Sequence, residues 1–215
     1  MKALDAILDL FYPRRCVFCR RLTRGEDRIC PLCARSLPET KTAACQHFPH
    51  LEKCCSPLFY VDDVRSSLLR YKFGGASFYA DVYGEYLLKC IDENGISCDS
   101  ITWVPLSRRR LRRRGYDQAR LLAESLAERS GHPCQMLLRK VRNNPAQSRT
   151  GSAEKRKKNV QGVYEALDGI ELKGKRILLV DDIVTTGATL SECARVLKAA
   201  GAAQVSAVTL ARRKV

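Results

Sequence analysis

Short apolar runs and longer amphipathic segments alternate along the chain from about residue 57 to residue 215. The continuous apolar runs predict buried strands at residues 58–61, 101–104, 176–180 and 205–210. Apolar side chains at three- and four-residue spacing predict helices at residues 64–73, 77–91, 117–129 and 190–200. Because strands alternate with helices, the pattern indicates an α/β domain with a parallel sheet.

Two zones depart from this alternation. Residues 1–56 contain seven cysteines and few periodic segments. A zone of this size buries little apolar surface, so it needs a bound metal or another cross-link to be stable. Residues 144–159 are polar and basic, and a loop of this length in a compact domain is usually functional. We therefore predict one domain at residues 1–56, a second at residues 57–215, and a mobile loop at about residues 144–160.

Residues 1–16 combine an apolar run with Asp5 and Asp9, which predicts a short amphipathic helix and not a signal peptide. No stretch of the sequence approaches the roughly 18 apolar residues that a transmembrane helix needs. Several of the 11 cysteines are isolated, which is not the pattern of a disulfide framework. These features predict a cytoplasmic protein with reduced thiols and no membrane insertion.

The chain is strongly basic, with a formal net charge of +15. Such an excess of positive charge favours polyanionic partners, either a nucleic acid or a phosphorylated small molecule. Charge does not determine the fold, and a protein that is merely basic is the alternative interpretation.

The segment VDDIVTTGAT, residues 180–189, joins a predicted buried strand to a predicted helix. In open α/β sheets ligands bind beyond the carboxyl ends of the strands, and a helix N-terminus offers N–H groups to a phosphate. Glycine permits close approach of the backbone, and threonine hydroxyls donate to phosphate oxygens. The segment therefore predicts a phosphate site formed by Thr185, Thr186, Gly187, Ala188 and Thr189.

Two acids in this segment, Asp181 and Asp182, would repel a phosphate and suit a different group. Ribose hydroxyls, or Mg²⁺ on those hydroxyls, are suitable partners for carboxylates. An ordinary strand–turn–helix is the alternative. The combination of an apolar strand, two acids and a Thr/Gly turn resembles the phosphoribosyl pyrophosphate (PRPP) signature of type I phosphoribosyltransferases. This resemblance implies a Rossmann-like sheet, Mg²⁺ and PRPP, with its 5-phosphate on the turn and the two aspartates as catalytic residues.

The pyrophosphate of PRPP requires a second anion site. Residues 101–104 are followed by a turn with arginines, and such a turn supplies N–H groups and positive charge. We predict that the pyrophosphate lies on Leu106, Ser107, Arg108 and Arg109. The run Arg108–Arg114 holds six arginines, and not all of them can reach one ligand. A solvated helix face is the alternative for Arg110, Arg112 and Arg113.

Two C-x-x-C pairs, separated by ten residues, lie in the N-terminal zone at Cys16, Cys19, Cys30 and Cys33. Two such knuckles bring four thiolates into a tetrahedron that suits Zn²⁺, and the binding energy substitutes for the missing core. Redox chemistry is the rival interpretation, but thioredoxin-like pairs lie within a βαβ pattern that is absent here. The spacing predicts a structural zinc site.

A second group of metal-ligand residue types has irregular spacing and consists of Cys45, His47, His50, Cys54 and Cys55. Either these residues bind a second metal or the cysteines are incidental thiols.

Further motifs occur in order along the chain: LDLFYPRRCVFC near the start, RSSLLRYKFGG at 65–75, WVPLSRRRLRRRGYDQARLLAESLA at 103–127, then Gln147, Arg149, Arg156 and Asn159–Tyr164 before the PRPP segment. This order is similar to that of the ComF family (ComFC/GntX-like) over essentially the whole chain. The sequence departs from the family pattern at Tyr116 and Asp117, where Phe and Asn are usual, and in the irregular second cysteine cluster.

The resemblance to the ComF family implies a role in natural competence, in which the protein binds PRPP and Mg²⁺ and handles single-stranded DNA during transformation. It also implies other competence or recombination proteins as partners. Basic residues that could contact DNA are Arg112, Arg113, Arg114, Lys155 and Arg156. Aromatic residues near basic ones either stack on bases or belong to the core, and they are Tyr71, Phe73 and Tyr116. The alternative function is a true phosphoribosyltransferase that acts on a nucleobase or another small-molecule acceptor.

Overall fold

A computed structural model describes residues 13–41, 45–142 and 160–214 of the 215-residue chain. Within these ranges the helices are α1 Pro31–Ser36, α2 Asp62–Phe73, α3 Tyr79–Glu93, α4 Arg108–Arg114, α5 Gln118–Ser130 and α6 Ala188–Ala199. The strands are β1 Cys45–Gln46, β2 Cys54–Cys55, β3 Leu58–Phe59, β4 Ser100–Trp103, β5 Leu138–Lys140, β6 Tyr164–Ala166, β7 Arg176–Val184 and β8 Gln204–Arg212.

The main sheet has the strand order β1-β2-β8-β7-β4, and β3 pairs with β8 beyond the end of β2. Strands β2, β3, β8, β7 and β4 run parallel, whereas β1 is antiparallel to β2. The predicted α/β architecture with a parallel sheet is therefore confirmed, with one antiparallel strand at its edge. A separate antiparallel ribbon of β5 and β6 lies at the two ends of the polar segment.

Each face of the sheet buries its own hydrophobic core. In β7, Leu178 and Val180 point to one core and Ile177 and Leu179 point to the other, because successive side chains of a strand alternate between its faces. Helices α2, α3 and α5 cover the first face, and α6 covers the second. The result is a three-layer domain with the carboxyl ends of β4 and β7 side by side.

Most predicted elements begin and end within two residues of the observed ones, and Gly131 caps α5 as expected, with φ of 73°. Strand β7 is longer than predicted and includes Asp181 and Asp182. It continues because β8 runs alongside it as far as Val184, which pairs with Arg212. Residues 1–12 of the predicted N-terminal helix and, apart from residue 160, the predicted mobile loop lie outside the described residues, and residues 13–16 are not helical.

The cysteine-rich N-terminal part is packed against the α/β domain. Val17 and Phe18 are buried in the same core as α2 and α3. The Ser67 hydroxyl and the Arg70 guanidinium, both on α2, donate to the Val17 carbonyl at 2.6 and 3.0 Å. Strands β1 and β2 belong to the main sheet, although they precede residue 56. The division into domains at that residue stays a prediction.

Among the described residues, no helix has the length and apolar character needed to cross a membrane.

Candidate functional site

A cavity of about 260 Å³ lies at the carboxyl ends of β4 and β7. Its position is where parallel α/β sheets usually bind ligands. The cavity brings together residues that are distant in sequence: Lys72, Val104, Pro105, Leu106, Arg110, Arg114, Gln118, Ala119, Lys140, Val160, Tyr164, Asp181, Asp182 and Thr189. Four of them are cationic and two are acidic, so the cavity is suited to an anion that also carries groups for two carboxylates.

The two predicted acids both line this cavity. Asp182 is 9% exposed, and its Oδ1 forms an ion pair with Lys72 Nζ at 2.8 Å. The neighbouring Asp181 carboxylate accepts a hydrogen bond from the Asp182 backbone N–H at 2.8 Å. Burial, followed by the adjacent charge of Asp182, raises the pKa of Asp181 above its usual range. A bound cation or hydroxyl donor would relieve this unfavourable pair of carboxyl groups.

Gly187 is the N-cap residue of α6, with a left-handed backbone (φ 69°) that favours glycine. As a glycine it forms no side-chain cap, so the N–H groups in the first turn of α6 receive no hydrogen bond from the side chain of the N-cap residue. Thr189 lines the cavity, Thr186 and Ala188 are partly buried, and Thr185 is exposed. Of the five predicted phosphate residues, Thr189 therefore lines the cavity together with the two acids.

The turn after β4 is held in place by Asp117, one of the two residues near the start of α5 where Phe and Asn were expected. Its carboxylate accepts hydrogen bonds from the backbone N–H groups of Leu106 at 3.0 Å and Ala119 at 3.1 Å. Ser107 caps α4 and accepts a hydrogen bond from the Arg110 N–H. A carboxylate at this position thus ties the predicted pyrophosphate turn to the start of α5.

The arginines that line the cavity are not the predicted pair. Arg108 and Arg109 are exposed in the first turn of α4, whereas Arg110 and Arg114 line the cavity. Arg108 and Arg109 therefore do not line this cavity, and their contact with a pyrophosphate stays a prediction. Residues four apart lie on the same face of a helix, so Arg110 and Arg114 share one face of α4. Both residues line the cavity, so this face is turned toward it.

Of the predicted nucleic-acid contacts, Arg112 and Arg113 are exposed on α4. Arg114 is half-buried, donates a hydrogen bond to the Gln118 side chain and lies 4.8 Å from the centroid of the Phe73 ring. Lys155 and Arg156 lie outside the described residues.

Sequence reasoning did not identify Lys72 or Lys140 as site residues. Lys140 pairs with Tyr164 across the ribbon, and its Nζ lies 5.1 Å from the Tyr164 ring centroid. Burial, followed by repulsion from Arg110, lowers the pKa of Lys140 to about 8. No motif marks this lysine. Lys72 lies in the KFGG segment, which could have indicated it as a candidate.

The four predicted zinc ligands meet in one cluster. The sulfur atoms of Cys16, Cys19, Cys30 and Cys33 all lie within 4.8 Å of one another, and those of Cys19 and Cys30 are 3.6 Å apart. Tetrahedral Zn–S bonds of about 2.3 Å place sulfur atoms about 3.8 Å apart, so the cluster fits one Zn²⁺. The backbone N–H of Cys33 also points at the Cys30 sulfur, at 3.4 Å. We conclude that this is a structural zinc site.

The second cysteine group has a different arrangement. Cys45 and Cys55 face each other across β1 and β2 and form a disulfide. The expectation of reduced thiols is therefore wrong at this pair. Cys54 is a buried free cysteine, and His47 and His50 are exposed. Within the described part of the chain, the four knuckle cysteines are the one group of three or more Cys, His, Asp or Glu side chains that is close enough to hold a metal ion.

Comparisons with known proteins agree with the fold. The model of the phosphoribosyl transferase domain matches residues 112–215, and that of the double zinc ribbon domain matches residues 7–57. The chain is 33% identical to the competence protein ComFC of Bacillus subtilis, over 92% of this chain and 83% of the relative. It is 31% identical to the DNA utilization protein YhgH of Escherichia coli, over 92% and 89% of the two chains.

One solved structure among those similar to the chain is a glutamine PRPP amidotransferase of B. subtilis complexed with ADP and GMP. The identity is 25%, over 62% of this chain and 26% of that chain, with a TM-score of 0.41. Together, the family models and the relatives that match nearly the whole chain show that the protein belongs to the ComF family, with a phosphoribosyltransferase-type domain and an N-terminal zinc ribbon.

Proposed function

We propose that this protein binds PRPP together with Mg²⁺ in the cavity between β4 and β7, and that it serves in the handling of single-stranded DNA during natural transformation. The observation that carries the PRPP proposal is the convergence, in one cavity, of two acids, Thr189 at the start of α6 and four cationic side chains. A sugar that bears phosphate groups at both ends matches this combination of charges.

Each part of PRPP has a suitable partner in the cavity. The N–H groups of the first turn of α6 and the Thr189 hydroxyl suit the 5-phosphate. The carboxylates of Asp181 and Asp182 suit the ribose hydroxyls. Arg110 and Arg114, with the turn at Leu106, suit the pyrophosphate. Mg²⁺, when bound, would neutralise charge on the pyrophosphate and the two carboxylates.

Replacement of Asp182 by Asn tests this assignment, because it keeps the side-chain volume and removes the charge. We expect the dissociation constant of Mg-PRPP to rise about 30-fold, equivalent to about 2 kcal/mol. Titration calorimetry measures the effect. Asp99→Asn is the matched control, since Asp99 lies at the opposite end of the sheet and pairs with Arg176 on the surface. Unchanged affinity in the Asp182 variant would refute the PRPP assignment.

The lowered pKa of Lys140 predicts a pH-dependent affinity. Free protein loses the Lys140 proton as the pH rises through about 8, whereas the charge of bound PRPP holds that proton in place. Binding should therefore take up a proton, and the affinity should fall between about pH 7.5 and 9.5, by up to roughly 10-fold. Lys140→Met should bind more weakly than the wild type, and its affinity should no longer decrease over this pH range. Lys140→Arg should keep its affinity over the same range. A Lys140→Met variant with the same pH profile as the wild type would contradict the prediction.

The DNA role rests on relatives and on charge. The relatives named above are a competence protein and a DNA utilization protein. The chain carries a formal charge of +15, and the arginines at positions 108, 109, 112 and 113 are exposed on α4 beside the cavity. Such a surface attracts a phosphate backbone in a salt-dependent manner.

One observation favours the alternative, a true phosphoribosyltransferase. The PRPP cavity shares Pro105, Leu106 and Lys140 with a second cavity of about 750 Å³. This second space could admit an acceptor next to the sugar. A screen for PRPP consumption with bases, nucleotides and DNA ends separates the two functions, because a binding protein that is not a transferase consumes no PRPP with any of them.

A further inference from the structure

The aromatic residues near the cavity have different environments. Tyr71 is fully buried, and its hydroxyl donates to the Gln118 carbonyl at 2.8 Å. The partly buried Tyr116 hydroxyl donates to the Tyr71 carbonyl. Both tyrosines are therefore occupied in the core. Phe73, at the end of α2, is 59% exposed although it is a large apolar side chain.

Phe73 lies next to two residues that line the PRPP cavity. The guanidinium of Arg114 lies 4.8 Å from the Phe73 ring centroid, and Arg114 itself lines the cavity. Lys72, the preceding residue, reaches into the cavity and pairs with Asp182. An exposed aromatic ring is thus fixed beside the position where the sugar and its phosphates would bind.

The charges around this ring indicate which chemical class of ligand fits it. Arg114 provides a cation against the ring, and Arg112 and Arg113 are exposed on the same helix. An unpaired base presents a π-face to an aromatic side chain while its phosphates contact arginines, and such stacking tolerates any base. A base in a duplex has its faces covered by its neighbours. The combination therefore fits an unpaired nucleobase.

We propose that Phe73 is a stacking platform that holds one base of a single-stranded nucleic acid beside the PRPP cavity. This inference rests on the proposed function, since it assumes that a nucleic acid approaches this cavity. It adds a site for the base, and it places the strand across the PRPP cavity and not elsewhere on the basic surface.

The test compares Phe73→Ala with Phe78→Ala by fluorescence anisotropy on a dT oligonucleotide and on an abasic oligonucleotide with the same number of phosphates. Phe78 is a matched control because it is 61% exposed and packs on Tyr79, away from the PRPP cavity. We expect wild type and Phe78→Ala to prefer the dT strand, and Phe73→Ala to lose this preference through about 10-fold weaker binding. Phe73→Trp should restore it. Competition with dTMP measures whether a free nucleotide displaces the dT oligonucleotide, and so whether the base must belong to a strand.

The inference is overturned if Phe73→Ala keeps the full preference for dT over the abasic strand, or if Phe78→Ala loses as much affinity. It is also overturned if wild type binds no oligonucleotide at low salt. Calorimetric titration of the same preparations with Mg-PRPP reports on the proposed function separately. Phe73→Ala should bind Mg-PRPP with wild-type affinity, because its ring lies outside the cavity.

Discussion

Removal of zinc should unfold the core beside α2 and weaken the proposed binding of PRPP. The knuckle residues Cys16, Val17 and Phe18 are at most 2% exposed, and the Phe18 ring packs on the rings of Tyr83 and Tyr86. Four thiolates that lose their metal repel one another and no longer fix the turns that present Val17 and Phe18 to the core. We expect the loss to exceed about 3 kcal/mol of unfolding free energy.

Helix α2 extends this effect to the ligand site. At one end of its last turn Arg70 donates to the Val17 carbonyl, and two residues later Lys72 pairs with Asp182 in the cavity. If the knuckle detaches, Arg70 loses its acceptors and the position of Lys72 is no longer fixed. The metal-free protein should therefore bind Mg-PRPP more weakly, even at temperatures where it stays folded.

Cys33→Ser measures the contribution of one ligand, and Cys98→Ser is its control. Both thiols are buried, at 3% and 4% exposure, but only Cys33 belongs to the cluster. Thermal unfolding should show a large loss for Cys33→Ser and a loss of about 1–2 kcal/mol for the control. Metal analysis should find one zinc per wild-type chain. Equal losses in the two variants, or two zinc ions per chain, would contradict the single structural site.

The elements that could be predicted from sequence are those whose chemistry is local. The four knuckle cysteines are recognisable because metal ligands require a definite spacing. Residues 180–189 are recognisable because a strand, two acids and a glycine turn follow one another without interruption. In both cases the residues that act together are neighbours along the chain, so their spacing carries the information.

The contributions that escaped prediction depend on tertiary structure. Lys72 and Lys140 reach the cavity from a helix and a ribbon that the fold brings to the carboxyl end of β7. Within α4, only the start of the helix at Ser107 determines that Arg110 and Arg114 face the cavity. Likewise, composition could not distinguish an exposed Phe73 from a buried Tyr71. A sequence indicates which residues are available, whereas packing decides which of them meet.

Gly187→Ala should be the most damaging single substitution in the phosphate segment, for two separable reasons. Its backbone has φ of 69°, which costs a residue with a Cβ about 1–2 kcal/mol. In addition, a Cβ there would lie well inside van der Waals contact of the Phe48 ring. Phe48 is partly buried against the core between the sheet and α6 and belongs to the β1–β2 connection that the Cys45–Cys55 disulfide closes. Moving it should cost about 1–3 kcal/mol more.

Two comparisons separate these costs by chemical denaturation. Gly131→Ala carries the backbone cost alone, because its φ is 73° and no atom lies within 4 Å of an added Cβ. In a protein that already carries Phe48→Ala, the obstructing ring is gone. In that background Gly187→Ala should lower the free energy of unfolding by no more than Gly131→Ala does in the wild type. Because Gly187 starts α6 at the proposed 5-phosphate position, the single variant should also bind Mg-PRPP more weakly, and removal of Phe48 should restore part of that affinity. If Gly187→Ala alone costs no more than Gly131→Ala, then Phe48 does not pack on the phosphate segment in solution.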